Sequence, residues 1–228
     1  MDKSFDTEFA KIEGLKWLPW VGSDYSKDEN PKLLIIGETH YHNNSEWSIG
    51  QHNKIDFTRL IVNEMGIQKL IYGKIKMFTN LHKVIFNNSP FESSKFWNFV
   101  SFYNLVQRPM VTINNRPNHK DFSYSWPIFF ELIKVLKPRV CLLIGVTSSH
   151  TLSEAIEKST FRKTDAKWEE KISNVEPIII SLVDDMDNYE VRLIFIRHAS
   201  RGFSWSKWHQ FLKSKMPETL NSLSEKSK

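Results

Sequence analysis

Five short apolar runs recur along the chain, and glycine, proline or polar residues bound each of them. Runs of this length are too short for most helices, and those at 32–36 and 140–144, with uninterrupted apolar residues at 33–36 and 140–144, are typical of strands buried on both faces, as in a parallel sheet. The predicted strands are 32–36, 102–106, 140–144, 178–182 and 191–196. These runs predict a central sheet in which the strands at 32–36, 140–144 and 191–196 are parallel neighbours.

Apolar residues spaced three or four positions apart lie between these runs and predict helices. The predicted helices cover 55–65, 77–86, 149–158 and 205–212, with a short helix or turn at 96–99. A further helix starts at a serine cap, Ser123 or Ser125, and stops before Pro138. Alternating strands and helices indicate one three-layer α/β/α domain over residues 1–228, with a central, mainly parallel sheet.

The two ends of the chain and one internal region fit this alternation less well. Residues 1–30 carry aromatic side chains, and we expect them to pack across the outside of the sheet without a long regular element. Residues 214–228 are expected to form a frayed, polar tail. The charged region 159–176 shows no clear pattern.

Polar residues follow three of the predicted strands at once. The first strand leads into Gly37-Glu38-Thr39-His40-Tyr41-His42, the third into Gly145-Val146-Thr147-Ser148, and the last into His198-Ala199-Ser200. In open α/β sheets, ligands bind outside the carboxyl ends of the strands. If the strands are parallel, these segments meet at one edge of the sheet, and we expect the functional site there.

Composition narrows the classes of protein that fit. The chain has 40% hydrophobic residues, which is enough for a core, and a single cysteine, Cys141, which excludes an internal disulfide framework. No segment resembles a signal peptide or a membrane span, so we expect a soluble, cytoplasmic protein without membrane contact. The net charge of +5 permits binding to a polyanion such as DNA.

The segment from Gly37 to His42 resembles the first motif of the uracil-DNA glycosylase superfamily, with forms such as Gly-Gln-Asp-Pro-Tyr-His and Gly-Glu-Ala-Pro-Gly. The segment from His198 to Phe203 is similar to the second motif, usually His-Pro-Ser. Between them, Tyr103–Val106 followed by Arg116-Pro117 resembles the strand whose asparagine reads the base. The run from Lys137 to Gly145 resembles the strand before a phosphate-contacting loop. The resemblance spans roughly residues 30–213 in order.

Departures from the family pattern bear on the chemistry. Thr39 stands where several branches have a water-positioning Asp or Asn, and His40 and Ala199 replace the motif prolines. Glu38 matches a branch that usually carries an iron–sulfur cluster held by four cysteines, which this chain cannot build. The resemblance therefore implies the fold more firmly than the substrate.

The resemblance implies three groups of site residues. They are His198, Glu38 and Thr39 for catalysis; Gly37, Tyr41, Asn104 and Phe57 for base binding; and Thr147, Ser148, Ser200 and Arg201 for DNA phosphates. Residue chemistry fits these roles. A histidine can donate to a base that becomes anionic, a glutamate can activate water or offset charge on the sugar, and an asparagine presents both a donor and an acceptor.

Each group has a structural alternative. His198 can be a satisfied loop histidine, Glu38 a structural carboxylate, and Asn104 a strand-end cap. Phe57 falls on the apolar face of a predicted helix, which favours core packing. The hydroxyl residues proposed for phosphates can instead cap the helices that follow them.

A cluster of histidines, His40, His42 and His52, invites comparison with a zinc site. Their spacing is unlike a standard zinc site and no cysteine supplements them, so we expect no metal. No redox or nucleotide cofactor is implied either.

Three functions follow from these observations. The first is a monofunctional, monomeric DNA glycosylase that acts on a flipped-out uracil or related pyrimidine, with DNA as its partner. The second is a glycosylase of the same fold for a modified cytosine, for example hydroxymethylated or glucosylated, in defence against foreign DNA. The third is a non-catalytic nucleic-acid-binding module, which the absence of Asp or Asn at position 39 favours.

Overall fold

The computed structural model describes residues 1–41, 45–70, 76–112, 114–200 and 202–228. Within these ranges seven strands form one sheet. The strands are β1 (Trp20–Val21), β2 (Leu33–Gly37), β3 (Val100–Asn104), β4 (Val140–Ile144), β5 (Phe161–Trp168), β6 (Ile178–Asp184) and β7 (Tyr189–Ile196).

The strands lie in the order β1-β3-β2-β4-β7-β6-β5. The four central strands, β3, β2, β4 and β7, are parallel, which confirms the predicted neighbours β2, β4 and β7. The outer pairings β1–β3, β7–β6 and β6–β5 are antiparallel. The sheet is therefore parallel only at its centre. A short turn joins β6 to β7, and strands joined by a tight turn pair antiparallel.

Helices cover both faces of the sheet. They are α1 (Asp6–Phe9), α2 (Glu46–His52), α3 (Phe57–Ile61) continued by a π-helix (Val62–Ile67), α4 (Lys76–Phe86), α5 (Ser93–Phe99), α6 (His119–Leu136), a 3-10 turn (Thr147–Thr151) with α7 (Leu152–Glu157), α8 (Trp205–Lys215) and α9 (Pro217–Lys226). Helix α6 packs on one face, and α4, α5, α8 and α9 pack on the other. The described residues thus form an α/β fold with a seven-stranded sheet between two helical layers.

Strand β2 shows why the sheet is buried on both sides. Leu33 and Ile35 pack into the core under α4 and α8, whereas Leu34 and Ile36 pack into the core under α6. Successive side chains of a strand point to opposite faces, so an unbroken aliphatic run fills both cores. Burial on both faces fixes the position of this strand and of the loop that follows it.

The N-terminal segment contributes to the sheet, contrary to the expectation that it only packs across the outside. Trp20 and Val21 form the antiparallel edge strand β1 beside β3. The buried guanidinium of Arg59 binds the carboxylate of Asp6 at 2.5 Å and the carbonyl of Pro19 at 2.9 Å, which ties the segment to α3. The segment is therefore part of the folded core.

Two element boundaries differ from the prediction. Strand β3 begins two residues earlier than expected and ends at Asn104. Helix α6 begins at His119 because Asn118 caps it: its side chain accepts from the Asp121 N–H, and the Asp121 carboxylate accepts from the Asn118 N–H. This reciprocal capping box satisfies two backbone donors, which the predicted serine caps do not do.

Two segments expected to be irregular form regular elements. The charged region after 159 contains the edge strand β5, in which Phe161 is buried and most other side chains are exposed. The expected polar tail instead continues α8 and then forms α9, which buries Leu220 and Leu223. The prediction of a frayed terminus is wrong because apolar residues three positions apart anchor a largely polar helix.

Candidate functional site

The site lies where chain order reverses within the parallel strands. From β2 the chain continues to β3 on one side, and from β4 it continues to β7 on the other. In open α/β sheets, such a reversal leaves a crevice outside the carboxyl ends of the two strands, where ligands bind. Glu38 follows β2 and Gly145 follows β4, so both residues flank this crevice.

Glu38 is the centre of a polar network. Arg116 donates from Nη1 to Oε2 of Glu38 at 2.7 Å and to the hydroxyl of Tyr41 at 2.9 Å. The Tyr41 hydroxyl donates to the same carboxylate oxygen at 3.2 Å. Burial raises the pKa of Glu38, although the Arg116 charge and the Tyr41 hydrogen bond act in the opposite direction. The carboxylate is therefore more basic than an exposed glutamate.

A small cavity adjoins Glu38. Its volume is about 10 Å³, and its walls include Gly37, Gly145 and Ser148. Such a volume holds about one water molecule and is far below the several hundred Å³ of a pocket for a small organic ligand. Gly145 has a φ of 140°, which favours glycine, and lies beside Oε1 of Glu38. The cavity is suited to a water molecule next to the carboxylate.

Asn104 and Gly37 are directly paired across β3 and β2. A Cβ atom at position 37 would overlap Oδ1 of Asn104, so the amide packs over the glycine. Asn104 is only 4% exposed, yet its side chain makes no hydrogen bond within the described ranges. Asn104 therefore holds a donor and an acceptor that the rest of the described structure does not use.

His198 follows β7 at the same edge of the sheet. Burial, and then the charge of Arg116, lower the pKa of His198 to about 4. Its Nδ1 atom is buried and has no partner among the described residues. At neutral pH the imidazole is uncharged, so one ring nitrogen carries a proton and the other accepts. In this form His198 can donate a hydrogen bond without carrying a positive charge.

The turn that carries His198 is held by helix α4, which packs on the face of the sheet opposite to α6. The side-chain amide of Asn80, on α4, donates to the carbonyls of Ala199 at 3.1 Å and Ser200 at 3.0 Å. The Ser200 N–H donates to the His198 carbonyl at 2.8 Å. Ala199 is buried. Asn80 thus fixes the position of the turn from His198 to Ser200.

Thr39 and Phe57 occupy structural positions. The Thr39 hydroxyl donates to the Arg108 carbonyl at 2.6 Å and so joins the loops after β2 and β3. Phe57 is buried, with its ring centroid 4.7 Å from that of His40 and 4.3 Å from that of His52. These contacts fit the core-packing alternative for Phe57, and its role in base binding stays a prediction.

The residues proposed for phosphate binding are placed differently from one another. Ser148 is buried and lines the cavity beside Glu38, away from the surface where a phosphate chain would lie. Thr147 is exposed at the start of the 3-10 turn, and Ser200 is half-buried. Arg201 lies outside the described residues. Thr147 and Ser200 remain accessible at the edge of the sheet that carries Glu38 and His198.

Two of the three histidines that invited a zinc comparison, His40 and His52, have other hydrogen-bond partners. His40 Nε2 lies 2.9 Å from the Thr58 hydroxyl, and His52 Nδ1 lies 2.7 Å from the Ser48 carbonyl. Burial, and then the nearby His52, lower the pKa of His40 to about 3. His42 lies outside the described residues. Among those described, no three His, Cys, Asp or Glu side chains are grouped as metal ligands.

Two residues of this site escape recognition in the sequence. Arg116 is separated from Glu38 by 78 positions, and it lies in an irregular polar stretch with no hydrophobic period. Its only sequence signal is its place in the Arg-Pro pair after the asparagine strand. Asn80 lies on the polar side of α4, where an asparagine has no distinctive signal.

Comparisons with protein-family models and with curated proteins find no match to this chain. In the described ranges, every helix is either too short or too polar to cross a bilayer. The case for function therefore rests on the residues of the site.

Proposed function

We propose that the protein is a DNA glycosylase of the uracil-DNA glycosylase superfamily, which hydrolyses the N-glycosidic bond of a flipped-out uracil or related pyrimidine. One observation carries the proposal: Glu38, Asn104 and His198 end or follow β2, β3 and β7, three strands of the same parallel set. Their order along the chain is that of the motifs in the resemblance. The crevice at the reversal of strand order is where such a fold binds its ligand.

Each side chain has a role in this reaction. Breaking the bond leaves negative charge on the base and positive charge on the sugar. His198 donates to the base as it becomes anionic, because a preorganised donor stabilises charge that develops in the transition state. Asn104 supplies a donor and an acceptor to the pyrimidine edge. Glu38 accepts a proton from the attacking water and offsets the charge on the sugar.

The electrostatics of the network support this division of labour. Burial raises the pKa of Glu38, which makes the carboxylate a better base, while Arg116 and Tyr41 act to keep it ionised. The cavity of about 10 Å³ beside Glu38 suits a single water molecule. The lowered pKa of His198 keeps the imidazole neutral, so it donates a hydrogen bond without adding a positive charge beside the Arg116 guanidinium.

A second candidate is a nucleic-acid-binding module without catalysis. The observation that favours it is Thr39, whose hydroxyl donates its proton to the Arg108 carbonyl, so that this proton is not available to orient a water molecule. In this case Glu38 and Arg116 are a structural ion pair, and DNA binding needs no chemical step.

A panel of oligonucleotides separates the candidates. Each carries one uracil, hypoxanthine, hydroxymethylated cytosine or glucosylated cytosine, in single-stranded and duplex form. An abasic product from uracil supports the proposal. An abasic product from a modified cytosine alone supports the alternative, a glycosylase of the same fold that acts in defence against modified DNA. Binding without any abasic product assigns the non-catalytic module.

Two variants test the mechanism on the best substrate found. His198→Ala and Glu38→Gln should each slow single-turnover excision by about 10²–10³-fold while binding stays near that of the parent protein. Matched controls at exposed positions are His150→Ala and Glu157→Gln, which should excise at the parent rate. Parental excision by His198→Ala would assign this histidine a structural role and remove the mechanism.

A further inference from the structure

A groove opens beside the candidate site, between the end of β5, the loop at 169–173 and helix α8. Its volume is about 670 Å³, and its walls include Lys167, Trp168, Lys171, Lys207, Phe211 and Lys215. None of these residues belongs to the motifs considered so far. The groove is therefore a separate surface feature of the fold.

The groove lies at the same edge of the sheet as His198. Strand β5 is antiparallel to β6, and β6 is antiparallel to β7, so β5 and β7 run in the same direction. Trp168, the last residue of β5, pairs with Ile178, which in turn pairs with Phe195 near the end of β7. Two strand spacings amount to about 10 Å. A chain bound at His198 therefore reaches the groove within a short distance.

A hydrogen bond fixes the groove to the strand that carries His198. Arg197, at the end of β7, donates from Nη1 to the carbonyl of Ser173 at 3.0 Å. Ser173 lies in the loop that forms one wall of the groove. The wall and the second motif are thus held in one arrangement, as a continuous binding surface requires.

The groove carries an excess of positive charge. Four lysines and two glutamates line it. Glu169 accepts ion pairs from Lys215 at 2.7 Å and Lys167 at 3.1 Å, so its charge is already compensated. Within the described ranges, Lys171 and Lys207 have no carboxylate within ion-pair distance, and both are exposed. Glu170, the other glutamate of the groove, is also exposed and has no ion pair within the described ranges, so the four lysines exceed the two glutamates by two charges. Lys171 and Lys207 are therefore the two lysines available to contact an anionic ligand.

Trp168 supplies the other feature of the groove. It is 58% exposed, although tryptophan is among the most hydrophobic side chains by area. Surfaces that combine lysines along a groove with an exposed aromatic ring are those that bind single-stranded nucleic acid, because phosphates meet the charges and an unpaired base stacks on the ring. A base within a duplex is already stacked and cannot use Trp168 in this way.

We infer that the groove binds single-stranded nucleic acid, namely the strand that leads away from the flipped nucleotide. Lys171 and Lys207 contact phosphates, and Trp168 stacks on a base at the rim of the groove. This inference rests on the proposed function for the continuity of the strand with the site. It extends that function by assigning single-stranded DNA, or DNA with an unpaired flank, as the substrate class.

The test is binding of fluorescently labelled oligothymidylate, measured by anisotropy over a series of salt concentrations. This probe contains no uracil, so binding is read without excision. Trp168→Ala should weaken binding by roughly 5- to 100-fold, the range found for loss of one stacked base. The double variant Lys171→Ala/Lys207→Ala should reduce the slope of log affinity against log salt by about 1.4, for two phosphate contacts on a single strand.

Matched controls lie outside the groove. Lys163→Ala removes an exposed lysine near the start of the same strand, and Tyr124→Ala removes a 65% exposed aromatic ring on α6. Both should bind like the parent protein. Circular dichroism and a thermal melt check that each variant is folded. We expect all of them to fold, because the substituted side chains are exposed.

The outcomes separate this inference from the proposed function. Weaker binding by the groove variants together with parental controls supports the groove, even if no oligonucleotide is excised. Parental affinity in Trp168→Ala, a parental salt slope in the lysine variant, or tighter binding to duplex than to single strand overturns it. Groove variants that bind oligothymidylate like the parent protein and also excise normally would overturn the groove and leave the proposed glycosylase unaffected.

Discussion

The guanidinium of Arg116 lies 2.7 Å from the carboxylate of Glu38 and joins the segment before α6 to the loop after β2. The carboxylate end of this pair is almost buried, with 9% of its side chain exposed, whereas 47% of the Arg116 side chain is exposed. Among the described residues, Arg116 is the cation that pairs with Glu38, and solvent and ligands can reach it. An anionic substrate that draws Arg116 away would leave Glu38 with a still higher pKa.

The first prediction concerns the pH dependence of excision. Burial raises the pKa of Glu38 and the Arg116 charge opposes this rise, so Arg116→Ala should raise that pKa further. In the proposed mechanism Glu38 acts in its ionised form, so the acidic limb of the rate profile should move to higher pH. Arg116→Lys retains a charge and should move it less. The measurement is single-turnover excision across the acidic range, and coincident profiles for Arg116→Ala and the parent would contradict the prediction.

The second prediction uses two glycines. Gly37→Ala places a methyl group against Oδ1 of Asn104, so it should destabilise the fold by about 1–3 kcal/mol and displace the amide that the proposed function assigns to base binding. The control is Gly50→Ala in helix α2, where an added Cβ meets no atom within 4 Å. Alanine there should be neutral or stabilise by up to about 1 kcal/mol. Urea unfolding measures both, and equal stabilities for the two variants would exclude the proposed contact.

The third prediction concerns stability at acid pH. Burial, and then the neighbouring His52, lower the pKa of His40 from 6.5 to about 3, so between these values the unfolded chain binds a proton that the folded chain does not. The contribution of His40 to the free energy of unfolding is therefore fully present above pH 6.5, and it decreases as the pH falls from 6.5 to about 3. The contribution of this one histidine to the slope is about 1.4 kcal/mol per pH unit.

His40→Gln should remove that contribution and retain a hydrogen-bonding group near Thr58. Urea unfolding at several pH values gives the slope for each variant. His150→Gln, at an exposed position, is the control and should keep the parental slope. If His40→Gln also keeps it, His40 is not held neutral in the folded protein.

The fourth prediction tests the C-terminal helix. Leu223 on α9 is fully buried in the core that also contains α4 and α8. Leu223→Ala should lower the free energy of unfolding by about 2–5 kcal/mol, through lost apolar burial and the cavity left behind. Asn221→Ala, at an exposed position of the same helix, should change it by less than about 0.5 kcal/mol. Equal stabilities would mean that the terminus is as loosely attached as its polar composition suggests.

The parallel centre of the sheet could be predicted because its strands obey a simple rule. Residues 33–36 of β2, 140–144 of β4 and 193–196 of β7 are apolar without interruption, since both faces are covered, and polar segments follow these strands. Strand β5 could not be predicted because it is an edge strand with mostly exposed side chains, so it has no apolar run. Helix α9 escaped because two leucines three positions apart are a weak pattern within a polar segment.

The candidate site was predictable only to the extent that it lies on strand ends. Glu38 and His198 could be selected because each follows a predicted strand, whereas Asn104 was selected because its strand resembles the one whose asparagine reads the base. Arg116 and Asn80 could not, since their roles depend on contacts across 78 and about 120 positions that no local pattern encodes. Thr39 and Phe57 were selected from neighbouring motif and helix positions, but their contacts are with a carbonyl and with other rings.

The last prediction is independent of any reaction. Burial is the largest cause of the low pKa of His198, about 4, and the charge of Arg116 is the second. Arg116→Ala should therefore raise this pKa, which should still remain below the ordinary value of 6.5 because the burial persists. The imidazole proton resonances, followed by NMR through a pH titration, report it directly. Tyr41→Phe retains the guanidinium and should leave the His198 titration near that of the parent. A parental pKa in Arg116→Ala would mean that the guanidinium is too far from His198 to act on it. Glu38 and His198 would then not be linked electrostatically through Arg116.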